Sequence, residues 1–174
     1  PRRWGKTPLV EEVVAAMFCA IPNFEVAIIA PSRFAAGKDM GMLAKIKKNI
    51  EIIFGGKLAY STNCAQHLIA PFSESDVRKI HLFTGRDGIR GICAKLYILM
   101  EPAYLCDDDF VELALTVNDN ALLGIGTGTE GPVCKRMRES GKYTVLDIRA
   151  VCPACTEVGI RESCVHRQPN LAKY

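Results

Sequence analysis

The spacing of apolar side chains predicts two amphipathic helices in the first third of the chain. Over residues 8–21 and again over 39–53, apolar residues recur at steps of three and four, the spacing of one helix face. Pro22 ends the first helix because proline cannot continue its hydrogen bonding. The residues expected on the buried faces are Val10, Val13, Val14, Met17, Phe18 and Ile21, then Leu43, Ile46, Ile50 and Ile53.

Short apolar runs, several of them β-branched, predict strands between the helical patterns. The strands are expected at 24–30, 78–83, 96–100, 121–125 and 143–150, with further helices at 107–117 and 132–140. Strands that alternate with helices indicate an α/β fold with a mostly parallel sheet flanked by helices. Residues 55–76, rich in Gly, Ser and Asn, give no clear pattern.

Composition and charge narrow the class of protein but do not indicate an activity. Hydrophobic residues make up 49% and charged residues 24%, which is typical of a globular domain, and the net charge of +3 permits a nucleic-acid partner without requiring one. No apolar run approaches the roughly 20 residues of a membrane span, and the opening residues lack the pattern of a secretory leader. The eight cysteines do not form an even ladder, which indicates a reducing compartment.

A phosphate-binding motif opens the chain. Gly5, Lys6 and Thr7 match the end of the pattern G-x-x-x-x-G-K-[ST], directly before the first helix. Glycine lets backbone N–H groups approach phosphate oxygens, lysine adds a positive charge, and threonine offers a hydroxyl to Mg²⁺. The helix N-terminus also favours an anion. The strand that normally leads into such a loop is expected before Pro1.

Five segments, in order, resemble the large terminase subunit of tailed phages and herpes-type viruses. The opening residues 2–7 are similar to its arginine-bearing P-loop, and 26–32 to its second strand. The Arg-Gly pair at 90–91 and the strand 96–101 resemble the region that ends in an acidic residue. Residues 122–128 resemble the coupling motif.

The resemblance implies a P-loop NTPase (RecA/ASCE-like) fold and ATP hydrolysis with Mg²⁺. It implies that Glu101 orients or activates the attacking water, and that Arg2 or Arg3 senses the γ-phosphate. The segments that match the family's nucleotide-binding and coupling motifs are Trp4, Gly5, Lys6 and Thr7, and Gly126, Thr127 and Gly128.

The same resemblance implies partners and a location. They are double-stranded DNA, a homo-oligomeric ring on a capsid portal, and a small terminase subunit, with no membrane. The expected location is the host-cell interior, nuclear for a herpes-type virus and cytoplasmic for a phage.

Several positions depart from the family pattern. Met100 stands where the family has a metal-assisting Asp, and a thioether is a poor ligand for Mg²⁺. Pro102 follows Glu101, and Gly126 and Gly128 replace Ser and Pro. One alternative is therefore a degenerate domain that binds nucleotide without hydrolysing it. The acidic run 107–109 is expected to be a solvated helix cap.

A cysteine and histidine cluster predicts a structural zinc site near the end of the chain. Cys152, Cys155, Cys164 and His166 form a Cys₃His set suited to tetrahedral Zn²⁺. A Cys152–Cys155 disulfide is the alternative. The predicted division is a P-loop ATPase domain over 1–150 and a zinc-binding segment over 151–174.

Two weaker patterns stay open. Gly126, Gly128 and Gly131, with Asp147 further on, match the fingerprint of a dinucleotide-binding oxidoreductase. Cys64 and His67, three residues apart on a possible helix, are a conceivable metal pair, although partly buried structural residues are expected more often.

Overall fold

The chain folds around a six-stranded mixed sheet. The computed structural model describes residues 6–30, 41–84, 92–102, 117, 120–126, 131–144 and 157–158. The helices are α1 (Lys6–Ala20), α2 (Met42–Phe54) and α3 (Pro132–Glu139). The strands are β1 (Glu25–Ala30), β2 (Thr62–Asn63), β3 (His67–Ser73), β4 (Asp76–Thr84), β5 (Leu96–Met100) and β6 (Ala121–Ile125).

The sheet has the strand order β2-β3-β4-β1-β5-β6. β1 lies in parallel pairing with both β4 and β5, and β5 pairs in parallel with β6. β2, β3 and β4 form an antiparallel extension. β1 is buried along nearly its whole length, as expected for a central strand covered on both faces.

Two apolar layers cover the two faces of the sheet. Alternate β1 residues such as Val26 and Ile28 pack with Val14 of α1 and Ile46 of α2 in the larger core. Residues of the opposite alternation form a smaller core. Its members are Ala27, Ile29, Phe83, Ala94, Tyr97, Leu99, Val117 and Val133. The described helices thus flank the sheet from both sides.

Arg78 on β4 fastens α1 to the sheet. Its Nη1 donates to the carbonyl oxygens of Phe18 and Cys19, each at 2.7 Å, which satisfies acceptors that the end of a helix leaves unpaired. Its Nη2 lies 2.6 Å from Asp76 Oδ2. The backbone N–H of Asn23 donates to Asp76 Oδ1 at 2.7 Å, so the α1–β1 turn is held by the same carboxylate.

β6 forms one edge of the described sheet and is poorly covered. Leu123 is 46% exposed, and no β6 residue is buried. Strands of parallel sheets are normally buried on both faces, so β6 differs from β1 and β5.

The structure confirms the predicted strands at 96–100 and 121–125. The strands predicted at 24–30 and 78–83 are also present, with ends that differ from the prediction by at most two residues. It corrects three burial expectations, because Val13, Ile21 and Ile53 are 45%, 39% and 53% exposed. Val13 lies beside the inward stripe of α1, Ile21 follows the last residue of that helix, and Ile53 lies in the last turn of α2. Of the predicted strand 143–150, the first two residues are not in a strand and the rest lie outside the described residues.

The possible helix around Cys64 and His67 is wrong. This part of the chain forms the β2–β3 hairpin, in which the Cys64 N–H donates to the His67 carbonyl at 3.0 Å. The predicted helix at 107–117 lies outside the described residues except for Val117, which is helical and buried.

Candidate nucleotide-binding site

The candidate site lies where the parallel strands end. β1, β4, β5 and β6 run in the same direction, so their carboxyl ends share one edge of the sheet. Ligands of open α/β sheets bind at this edge. The first residue of α1, Lys6, lies there as well, because its Nζ is 3.6 Å from Oε1 of Glu101 at the end of β5.

The Lys6–Glu101 pair joins two residues that are 95 positions apart in sequence (101 − 6). Side-chain exposure is 23% for Lys6 and 11% for Glu101, so solvent reaches the pair only in part. A partly buried ammonium at a helix N-terminus favours an anion, since the free backbone N–H groups add positive potential. Thr7 follows within the same turn and is half-buried. The arrangement brings a cation, a hydroxyl residue and a carboxylate to one edge.

Glu101 adopts an unusual backbone conformation. Its φ is +52°, in the left-handed region that residues with a side chain rarely occupy. Its N–H donates to the Ile125 carbonyl at 2.7 Å, which ties the end of β5 to the end of β6. Strained residues cost of order 1–3 kcal/mol and cluster at functional sites, so this conformation marks the strand end as a candidate active-site position.

Gly126 lies against this strained residue. A Cβ atom built on Gly126 would come 3.0 Å from Pro102 Cδ, 3.4 Å from Glu101 Oε2 and 3.5 Å from Glu101 Cα. A side chain here would push on the Glu101 carboxylate and on the ring beside it. Close packing against Glu101 and Pro102 therefore favours glycine at position 126, the first residue of the predicted coupling segment.

Met100 faces the core rather than a polar group. Only 2% of its surface is exposed, and it belongs to the apolar cluster that includes Val10 and Val14 of α1. Along a strand, neighbouring residues point to opposite faces, so Met100 points towards the α1 side. A buried thioether supplies no oxygen ligand to a hard cation such as Mg²⁺.

Cys134 on α3 adds a neighbour to Glu101. Burial raises the pKa of the Cys134 thiol, Arg138 partly offsets this rise, and the Glu101 charge adds to it. A raised pKa favours the protonated thiol, which is the less reactive form of cysteine. Sequence inspection placed Cys134 only in a short helix, because nothing local indicates which strand end that helix covers.

The donor set fits nucleotide phosphates better than it fits Mg²⁺. Lys6 and the α1 N-terminus suit phosphate oxygens, and Glu101 suits a water molecule or a cation. Met100 removes the second carboxylate that the family resemblance implies. Among the described residues, no three His, Cys, Asp or Glu side chains converge as a metal site.

Many predicted site residues lie outside the described residues. They are Arg2, Arg3, Trp4, Gly5, Thr127, Gly128, Cys152, Cys155, Cys164 and His166. The zinc site and the boundary at residue 150 therefore stay predictions. In the part of the chain that the structure describes, no helix has the length and apolar character of a membrane span.

Solved structures of phage large terminases have a fold similar to that of this chain. The ATPase domain of the large terminase of Thermus phage P74-26 is similar with a TM-score of 0.56 and 18% identity, over 72% of this chain and 56% of that one. A mutant of the same domain gives a TM-score of 0.52. The large terminase of a second, thermophilic bacteriophage gives 0.56 at 15% identity, over 80% of this chain and 36% of that one.

This chain thus spans about half of the Thermus phage ATPase domain and about a third of the second phage's terminase. No family model and no curated protein matches the sequence. The chain has a P-loop NTPase-like fold similar to that of large terminase ATPase domains, which confirms the resemblance found in the sequence.

Proposed function

We propose that this chain is the ATP-hydrolysing domain of a motor that packages double-stranded DNA into a viral capsid. The observation that carries the proposal is the contact between Lys6 and Glu101 at the carboxyl edge of the parallel strands, within a terminase-like fold. The two residues come from separate motifs, and the fold brings both to the edge where nucleotides bind in such sheets.

In this proposal Lys6 and the N-terminus of α1 hold the β- and γ-phosphates, and Thr7 offers its hydroxyl to Mg²⁺. The metal neutralises developing charge on the phosphate oxygens when it is bound. Glu101 holds the attacking water by accepting its hydrogen, and in the absence of nucleotide it pairs with Lys6. Arg2 or Arg3 stabilises the γ-phosphate, and Trp4 and Gly5 complete the loop.

Coupling to DNA movement is assigned to the end of β6. Gly126 packs against Glu101 and Pro102. A shift of the Glu101 carboxylate would therefore displace Gly126, the first residue of the segment 126–128. Thr127 is proposed to report phosphate loss to the parts that hold DNA. The portal ring, the small subunit and an intracellular viral location belong to the same proposal, as does a structural zinc ion on Cys152, Cys155, Cys164 and His166.

The experiment is DNA-stimulated ATP hydrolysis by the full-length protein and by Lys6→Ala. Because Lys6 supplies the charge that faces the phosphates, turnover is expected to fall strongly in the variant. Lys48→Ala is the matched control, since Lys48 is an exposed lysine of α2. Equal turnover in all three proteins would overturn the proposal.

A second candidate is a nucleotide-binding domain that no longer hydrolyses ATP. The buried thioether of Met100 favours it, because the position lacks a Mg²⁺ ligand. Met100→Asp separates the two candidates. If the variant hydrolyses ATP faster than a nearly inactive unaltered protein, the domain is an ATPase that has lost activity through Met100. Retained ATP binding without turnover in either protein supports the degenerate domain.

A dinucleotide-binding oxidoreductase remains the rival from another class. It rests on the glycines after β6, and Asp147 lies outside the described residues. Equilibrium binding of ATP and of NAD to the same preparation decides this point, because the P-loop proposal requires preference for ATP and its loss in Lys6→Ala.

A further inference from the structure

Two histidines meet on the antiparallel part of the sheet. His67 of β3 and His81 of β4 are direct partners in the strand register, and their Nδ1 atoms are 2.9 Å apart. The rings are nearly perpendicular, at 72°, with centroids separated by 5.1 Å. His81 is 7% exposed, whereas His67 is only partly buried, so the pair is reached from the His67 side.

Glu25 fixes the orientation of the buried ring. Its Oε1 lies 3.2 Å from Nε2 of His81, and its other oxygen lies 3.3 Å from Nζ of Lys79. A carboxylate accepts a hydrogen, so Nε2 of His81 carries the proton and Nδ1 presents a lone pair. In the resting protein His67 satisfies that lone pair by donating its own Nδ1–H.

The other tautomer of His67 changes what the pair can bind. With the proton on Nε2 of His67, both Nδ1 atoms carry a lone pair, and they lie 2.9 Å apart. The change is inexpensive because His67 is partly exposed and water can accept from its Nε2. A cation about 2.0–2.1 Å from both nitrogens would lie beside the line that joins them, so small rotations of the two rings direct both lone pairs at it.

We propose that His67 and His81 bind a divalent transition-metal ion of the zinc, copper or nickel class through their two Nδ1 atoms. Imidazole nitrogens lie about 2.0–2.1 Å from such ions, which puts two of them about 3 Å apart at a right angle and about 3.4 Å apart in a tetrahedron. The 2.9 Å separation is near this range without movement of either strand. Imidazole is a preferred ligand for these metals.

Glu25 acts from the outer shell of this site. A carboxylate on the second nitrogen of a metal-bound histidine holds the ring and raises its basicity, and loss of such a partner typically weakens metal binding 10- to 100-fold. Among the described residues, no third His, Cys, Asp or Glu converges with the pair. The remaining coordination positions therefore belong to water, and the ion exchanges readily.

The first test is nuclear magnetic resonance of ¹⁵N-labelled histidine in the full-length protein, titrated with zinc chloride. The Nδ1 resonances of His67 and His81 are expected to shift together and saturate at one equivalent. Unchanged Nδ1 resonances at saturating zinc, or shifts confined to Nε2, would overturn the proposal.

Variants separate this site from the cysteine cluster predicted near the end of the chain. His67→Gln is expected to remove one zinc equivalent measured by equilibrium dialysis, and Glu25→Gln to weaken that equivalent by about 10- to 100-fold. His166→Gln is the matched control, because it alters the third histidine of the chain and leaves the His67–His81 resonances unchanged. Cys64→Ser is expected to bind as the unaltered protein does. Zinc stoichiometry that is identical in His67→Gln and the unaltered protein would contradict the assignment.

Discussion

The parallel and antiparallel parts of the sheet bring polar residues together by different routes. In the parallel part, Lys6 and Glu101 meet because strand ends and a helix start share one edge. In the antiparallel part, His67 and His81 meet in mid-sheet because the register makes them direct partners. The strand order and direction therefore suffice to place the Lys6–Glu101 pair. The His67–His81 pair also depends on the register, because a shift of one residue would move the two side chains to opposite faces of the sheet.

The two parts also differ in how they are held. The parallel strands depend on apolar burial on both faces, with Ile28 and Ile29 of β1 almost completely buried. The antiparallel part is fastened by a charged residue, Arg78, whose guanidinium lies 3.9 Å from the centre of the Phe72 ring. Changes at the parallel edge should therefore affect turnover, and changes at Arg78 should affect stability.

The largest expected effect is on turnover. Glu101→Gln keeps the size of the side chain but removes the charge that would hold and deprotonate the attacking water. We expect kcat for ATP hydrolysis to fall by about 10²–10⁴-fold while ATP binding is retained. Glu74→Gln, in an exposed turn, is the control. A loss of ATP binding with kcat unchanged would show that Glu101 serves only to bind nucleotide.

The next effect is on stability. Arg78→Met leaves the carbonyls of Phe18 and Cys19 without their donor and should lower the free energy of unfolding by about 3 kcal/mol. Denaturant unfolding measures this change. Arg138→Met, on the exposed side of α3, should change it by less than about 0.5 kcal/mol. Similar midpoints for both variants would mean that Arg78 does not anchor α1.

A smaller effect is expected at the point where the two strand ends touch. Gly126→Ala places a methyl group 3.0 Å from Pro102 Cδ and displaces Glu101. Turnover should fall by roughly tenfold, since displacements of about 1 Å at a catalytic group can cost up to 100-fold. Gly56→Ala is matched to it, because a Cβ at Gly56 meets nothing within 4 Å. Unchanged kcat in Gly126→Ala would separate this contact from the chemistry.

The smallest effect is on the pH dependence of stability. Hydrogen bonds from Arg78 first, and then from Asn23, hold the pKa of Asp76 below its usual 3.8. A depressed carboxyl pKa stabilises the fold above the pKa of the unfolded chain, and this contribution is lost as the pH falls below about 4. Asp76→Asn should flatten the stability profile in that acidic range. An unaltered profile would show that Asp76 does not contribute.

The sequence predicts those features of the structure that depend on neighbouring residues better than those that depend on contacts between distant residues. The strand at 96–100 and the helix predicted over 8–21 are local patterns, and the structure has the strand at Leu96–Met100 and the helix at Lys6–Ala20. The meeting of Lys6 and Glu101 follows from the P-loop resemblance, because that fold gathers strand ends. The β2–β3 hairpin was not predicted, since its turn consists of Cys64, Ala65 and Gln66, none of which is a typical turn residue.

Three further features depend on tertiary contacts. Ile53 fits the inward stripe of α2 but lies in the last turn, where the sheet no longer covers it. His81 lies in the predicted strand 78–83, and only the register of β3 with β4 reveals its partner. The positive φ of Glu101 has no local sequence cue, and the hydrogen bond that its N–H donates is to Ile125 of another strand.

The most direct measurement of the central claim is a double-mutant cycle on DNA-stimulated kcat, with Lys6→Ala, Glu101→Gln and the two combined. If both residues act on one bound phosphate group, the combined variant should lose no more than the more damaging single change, because parts of one catalytic unit are not additive. Losses that multiply, or no turnover in the unaltered protein, would contradict a working ATPase site at this edge of the sheet.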